Sequence, residues 1–133
     1  MIFKAVLLFL SASGICLASN AQEGTLQESM KRGEQVYTTY CTSCHQPAGE
    51  GVEAAFPPLA KSDYLNADVN RAIKQVIKGS TAPMTVNGKK YTTAMPPQAL
   101  SDQQIADVLT YVYSSWGNTK KVVTLAMVKA QRK

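Results

Sequence analysis

The chain is poor in residues that hold metals: its 133 residues contain one histidine, His45, and three cysteines, Cys16, Cys41 and Cys44. A structural zinc site needs four nitrogen or sulfur ligands, so zinc would have to borrow unusual ones here. A site with two histidine ligands from this chain is excluded outright. Long apolar runs are missing as well. The longest, "AVLLFL" continued by "SASGICLA", is broken by Ser11, Ser13 and Gly14 and is too short for the roughly 20 residues of a membrane span. Clustered charge is the third absence. Lys and Arg outnumber Asp and Glu by 14 to 9, but they are scattered, without the basic run or interleaved aromatics that nucleic-acid binding favours. No partner of that kind is expected. The chain has no internal repeat and no low-complexity tract.

What stands at the beginning sets the compartment. Lys4, the apolar run and small residues up to "SNA" at 19–21 read as a secretory signal peptide cut after Ala21. Residues 1–21 are therefore expected to be a leader for export to the periplasm. Cys16 falls inside it. The lipidation alternative would want a small residue where Ile15 stands. The rest is short enough for one domain, and an internal cofactor would supply core to a chain of this size.

With Cys16 removed, Cys41 and Cys44 stand in "CTSCH", directly followed by His45. A thioredoxin-like C-x-x-C opens a helix after a strand, whereas the residues ahead of Cys41 have a helical pattern. A short-loop disulfide would use both sulfurs but gives no reason for the histidine to follow. Covalent haem c gives one: two thiols add to the haem vinyl groups, and His45 is carried under the iron as proximal ligand. One haem c, held by Cys41 and Cys44, is the expected cofactor.

Iron in an electron carrier wants a sixth ligand, and sulfur is what remains. Met30 precedes the haem motif on an amphipathic helix, and Met127 lies near the C-terminus; filling core gaps is the ordinary role for either. Met84 precedes "TVNGKKY", whose Asn87-Gly88 asks for a type I′ hairpin turn. Met95 stands in "TTAMPPQAL", where two prolines hold the backbone extended. Met95 is the expected ligand, with Met84 its competitor.

The remaining pattern is helical. Thr25-x-x-Glu28 reads as a capping box opening a first helix with Leu26, Met30, Gly33, Val36, Tyr37 and Tyr40 at helical spacing. A middle helix is predicted from Asp68 to Lys78 with Gly79 as its stop. A third, capped by Ser101-x-x-Gln104, carries Ile105, Val108, Leu109, Val112 and Trp116 and ends at Gly117. Residues 118–133 read as a basic tail, with one or two helical turns in "TLAMVKAQRK".

The haem motif, Gly33-x-x-x-Tyr37, Val108-x-x-Tyr111 and the intervening "MPP" resemble a class I c-type cytochrome over residues 22–117. More narrowly, "CHQPAGEGVEAAFPPLA", "TVNGKKYTTAMPP" and "LTYVYSSWGN" are similar to small periplasmic cytochromes c and to the cytochrome domains serving bacterial dehydrogenases and copper nitrite reductases. The resemblance implies an all-α cytochrome c-like fold, with three or more helices around the haem and a small β-hairpin before the axial methionine. First and last helices would cross at Gly33 and Val108/Tyr111. It implies iron ligands His45 and Met95, the Pro57 carbonyl receiving the His45 Nδ1 proton, and Leu59, Tyr91 and Trp116 lining or flanking the pocket.

A neutral imidazole and a thioether leave the iron coordinatively full, which describes a carrier and not an enzyme. The expected function is periplasmic one-electron transfer between a dehydrogenase or respiratory donor and a reductase or oxidase, with redox proteins as partners of a monomer. The alternative is a haem enzyme or gas sensor with an openable sixth position. Such a site would want a distal histidine or arginine, and the arginines are Arg32, Arg71 and Arg132. Lys89 and Lys90 lie a few residues before Met95, so they are expected near the haem, where an acidic partner would dock.

Overall fold

The computed structural model describes residues 19–133, with side chains from residue 26 onward. Its elements are α1 (Ser19–Tyr40), α2 (Thr42–His45), α3 (Asp63–Ala67), α4 (Val69–Lys78), β1 (Met84–Val86), β2 (Lys89–Tyr91), α5 (Asp102–Ser114) and α6 (Leu125–Gln131). The fold is helical with one small antiparallel hairpin. The expected leader, residues 1–21, lies outside the described residues except for its last three, which open α1. Thr25, expected to cap the first helix, is instead inside it. The good helix formers Ala21, Gln22 and Glu23 carry the ladder through Gly24.

Local chemistry accounts for the other boundaries. The Ser101 hydroxyl accepts from the Gln104 N–H while the Gln104 side chain accepts from the Ser101 N–H, the reciprocal cap expected for α5. Helix α5 stops at Ser114, just short of Trp116 and Gly117, both at positive φ. Asp68 caps α4 by accepting from the Asn70 and Arg71 N–H groups. In the hairpin Asn87 and Gly88 have φ of 50° and 77°, and Met84 pairs with Tyr91. Helix α3 escaped the sequence pattern because five residues give periodicity nothing to repeat; Ser62 starts it by accepting from the Leu65 N–H.

Helix α1 packs across α5, and Gly33 is why the two backbones meet. A Cβ there would stand 2.1 Å from the Asp107 carbonyl oxygen and 2.8 Å from the Tyr111 Cβ. The core runs from this crossing through Tyr37, Ile73, Ile105, Val108 and Tyr113, all buried. The segment read as a tail joins it. Val123 and Val128 are buried, the Val123 N–H donates to Thr110 Oγ1, and Arg132 pairs with Asp102 at 2.6 Å. Asn118 donates to the carbonyls of Leu59 and Val112, tying the segment back to the loop under α5.

Beside the crossing, the buried Asp107 carboxylate receives hydrogen bonds from Ser29 Oγ, Arg32 Nε and Gln103 Nε2. Burial pushes its pKa up, but these donors and the guanidinium charge outweigh burial and hold it below the usual carboxylate value. The stability this contributes is complete above the unfolded value near pH 4 and is lost as pH falls through the lower folded value. Asp107→Asn is therefore expected to lower the melting temperature by several degrees at pH 7. In acid titrations followed by circular dichroism, the gap between parent and variant should narrow below about pH 4.

Candidate cofactor site

A cavity of about 170 Å³ opens between α2, the loop 56–59, α4, the hairpin, the segment 93–100 and α5. Cys41, Cys44, His45, Pro57, Leu59 and Met95 all line it, so the two cysteines, the histidine, the Pro57 loop and the expected methionine meet on one cavity. Met84 lines it too. Tyr91 and Trp116 do not. Tyr91 is buried in the hairpin, and Trp116 sits against Gly49, with its ring 5.1 Å from that of Tyr37 and 5.6 Å from that of Tyr111. Trp116 thus supports the loop behind the cysteine motif.

Helix α1 ends by turning into α2: the Cys41 N–H donates to the Tyr37 carbonyl, and the His45 N–H to that of Cys41. Both thiols are free. Burial, aided by Cys44, pushes the Cys41 thiol up to about 11. From the same turn, His45 Nδ1 lies 2.9 Å from the Pro57 carbonyl oxygen. A carbonyl only accepts, so Nδ1 carries the proton and Nε2 keeps its lone pair. Burial lowers the His45 pKa, and the hydrogen bond to Pro57 opposes it only in part. The imidazole is neutral at pH 7, as a metal ligand must be.

Met95 is held by its backbone. Its N–H and carbonyl exchange hydrogen bonds with Ser80 at 2.8 and 2.9 Å, and Pro96 and Pro97 follow. Gly79, at φ +73°, allows this approach, because a Cβ there would stand 2.4 Å from the Met95 carbonyl oxygen. Met84 instead sits on β1, on the same side as the buried Val86.

Arg71 also lines the cavity, and the sequence reading gave it no role there. Its Nη2 donates to the Tyr64 carbonyl, its guanidinium lies 3.6 Å from the Tyr64 ring centroid, and its buried Nε has no partner. A buried unpaired N–H is costly, so an acceptor is wanted inside the cavity. A mostly apolar pocket with two thiols, a neutral imidazole, two thioethers and one orphaned cationic donor suits a haem: a flat apolar ring bearing carboxylates, with an iron centre. Spacing on α4 alone would not have found Arg71, since an arginine among polar neighbours reads as solvated surface.

The family model for cytochrome c matches residues 30–116. The chain belongs to the cytochrome c family. As a cytochrome c it binds haem c covalently, through the C-x-x-C-H pair Cys41 and Cys44, and is a haem electron carrier. It is 36% identical to cytochrome c-552 of Thermus thermophilus over 104 residues, 74% of this chain and 70% of that one. It is 37% identical over 89 residues to the cytochrome c subunit of a quinone alcohol dehydrogenase of Gluconobacter oxydans, covering 65% of this chain but 18% of that subunit. The cytochrome c subunit of gluconate 2-dehydrogenase of Pantoea cypripedii is 33% identical over 111 residues, 80% of this chain and 25% of that one. No helix among the described residues is long and apolar enough to cross a membrane.

Proposed function

We propose that this cytochrome c is an exported, periplasmic one-electron carrier whose haem iron is ligated by His45 and Met95. It passes electrons between a dehydrogenase or respiratory donor and a reductase or oxidase. The observation that carries the reading is the presence on one cavity of an imidazole locked by Pro57 and a methionine locked by Ser80. The similarity to dehydrogenase cytochrome subunits supports the class of donor.

When bound, haem c supplies a one-electron couple at iron. The chain's residues do the rest. The Cys41 and Cys44 sulfurs tether the group so that it is not lost to the periplasm. The Pro57 carbonyl fixes the tautomer and orientation of His45, which keeps Nε2 free as a donor. The Met95 thioether favours the reduced state relative to a second imidazole. Leu59, Val108 and Leu109 exclude water, which limits solvent rearrangement when the charge changes.

Arg71 would meet a haem propionate through Nε while Tyr64 holds the other edge of its guanidinium. Arg71→Leu removes a positive charge that favours the reduced state. The expected result is a fall in reduction potential of about 40 mV, the one-electron equivalent of roughly 1 kcal/mol, with the haem spectrum intact. A potential unchanged by Arg71→Leu would take Arg71 out of the cofactor's surroundings. The carrier reading itself is tested by a spectroelectrochemical titration of the exported protein. It should show a single reversible one-electron wave with one haem per chain.

A further inference from the structure

Beyond the carrier reading, we infer that the groove where α1 and α5 meet the segment 122–125 is a docking site for an acidic, amphipathic helix of a partner protein. The groove has a volume of about 360 Å³ and shares no lining residue with the haem cavity. Gln103, Ala106 and Asp107 turn one face of α5 to it, while Val108, Leu109 and Val112 turn another to the haem side. A partner held here leaves the haem cavity uncovered.

The lining is apolar with one cation. Leu26, Val122 and Leu125 belong to it, and Val122 and Leu125 are 54% and 37% exposed, large apolar side chains left in water. A surface that covers them gains their burial. Arg32 binds Asp107 through Nε and Nη2, while Nη1 makes no hydrogen bond among the described residues and the side chain is 49% exposed. Its guanidinium therefore keeps donors for a second carboxylate. Asp107 is buried and engaged by Ser29, Arg32 and Gln103, so that carboxylate has to come from outside.

The surrounding charge selects the partner. Residues 118–133 hold five basic residues and no acidic one. Arg132 is paired with Asp102 and Lys121 donates to the Asn66 carbonyl, but Lys120 and Lys129 are exposed and form no ion pair among the described residues. Lys120 stands two positions before Val122, and Lys129 one turn of α6 beyond Leu125 on the same face. On the α1 side the exposed Glu28 and Lys31 offset one another. Glutamates flanking an apolar stripe at helical spacing match this layout of apolar groove and basic border. A second copy of this chain would instead bring its own basic segment against these lysines. A bilayer takes up apolar side chains that project, with Trp or Tyr at its interface, whereas these line a hollow that has neither. Lys89, expected from the sequence to meet an acidic partner, is paired with Glu53 at 2.5 Å, and neither it nor Lys90 lines either cavity.

The test uses the haem-loaded, isotope-labelled protein and three short synthetic helices: a leucine stripe flanked by glutamates, the same stripe flanked by lysines, and the glutamate peptide with serine for leucine. In heteronuclear NMR titrations the first should shift the backbone amides of Ser29, Gln103, Val122 and Leu125 and leave those of Ala94 and Met95 in place. The other two should bind at least about tenfold more weakly. Val122→Asp and Leu125→Asp, made separately, should each weaken the first peptide about tenfold, as loss of an apolar anchor does. Lys129→Glu should weaken it severalfold at low salt, an effect that fades near 1 M, where the Debye length is about 3 Å. The haem spectrum should stay that of the parent in every variant, which assigns the losses to the groove. The proposal is overturned if the acidic peptide leaves the groove amides unshifted, if both aspartate variants bind it like the parent, or if the lysine peptide binds as tightly. Vesicles of phosphatidylglycerol and phosphatidylcholine that hold the parent more tightly than the peptide does, and release Leu125→Asp, would overturn it in favour of a lipid surface. No electron transfer enters the readout, so the docking site stands or falls apart from the carrier reading.

Discussion

Replacing both Cys41 and Cys44 by alanine is expected to give an apoprotein that is largely unfolded at ordinary temperature. The reason is the cavity of about 170 Å³ at the centre of the helices. Left without the group that fills it, this apolar space loses packing contacts that the helices cannot replace among themselves. The total stability of a small domain is only about 5–15 kcal/mol, and a domain of this size starts near the low end. Leu59, Leu65, Val108, Leu109 and Val112 all line the space, so without the cofactor they face water or collapse out of register. Single replacements, Cys41→Ala or Cys44→Ala, leave one tether and should reduce the yield of haem-loaded protein. Circular dichroism of the double variant is the check. A cooperative melting transition well above room temperature would show that the helices hold together unaided.

Met95→Ala is expected to have the largest effect on the redox chemistry. On the proposed ligation, and with His45 as the chain's one imidazole, losing the Met95 thioether would leave the iron one protein ligand short. The weak far-red band of methionine-ligated ferric haem should disappear, and the reduction potential should fall by on the order of 100 mV or more. Met84→Ala should keep the band. Both methionines line the cavity, so the distinction rests on the backbone: Ser80, Pro96 and Pro97 fix the Met95 segment from both sides, while Met84 occupies an ordinary strand position. Loss of the band in Met84→Ala and its survival in Met95→Ala would reverse the assignment.

Much of this was legible in the sequence because it depends on chemistry local to the chain. The C-x-x-C-H string sits within one turn of helix and its consequences need no tertiary knowledge. The caps of α4 and α5 and the Asn87-Gly88 turn are likewise decided within four residues. What escaped depends on distant partners. Arg71 acquires a role only because Tyr64, seven residues away, takes one edge of its guanidinium and leaves the buried Nε without a partner. The segment 118–133 looked like a solvated tail because it carries five basic residues and no acidic one. Val123 and Val128 suffice to anchor it, since Thr110 offers a hydroxyl inside α5 and Asp102 a carboxylate at its start. Lys89 looked free in the sequence because Glu53, which neutralises it, is 36 positions away.

The central claim is that the haem iron is full, held by His45 on one side and Met95 on the other, and so carries electrons without binding substrate. Carbon monoxide added to the reduced, haem-loaded protein at neutral pH tests it most directly. The account predicts a visible spectrum unchanged over minutes in the parent and an immediate shift in Met95→Ala. A parent that binds carbon monoxide at once would contradict it and favour a haem site open to ligands.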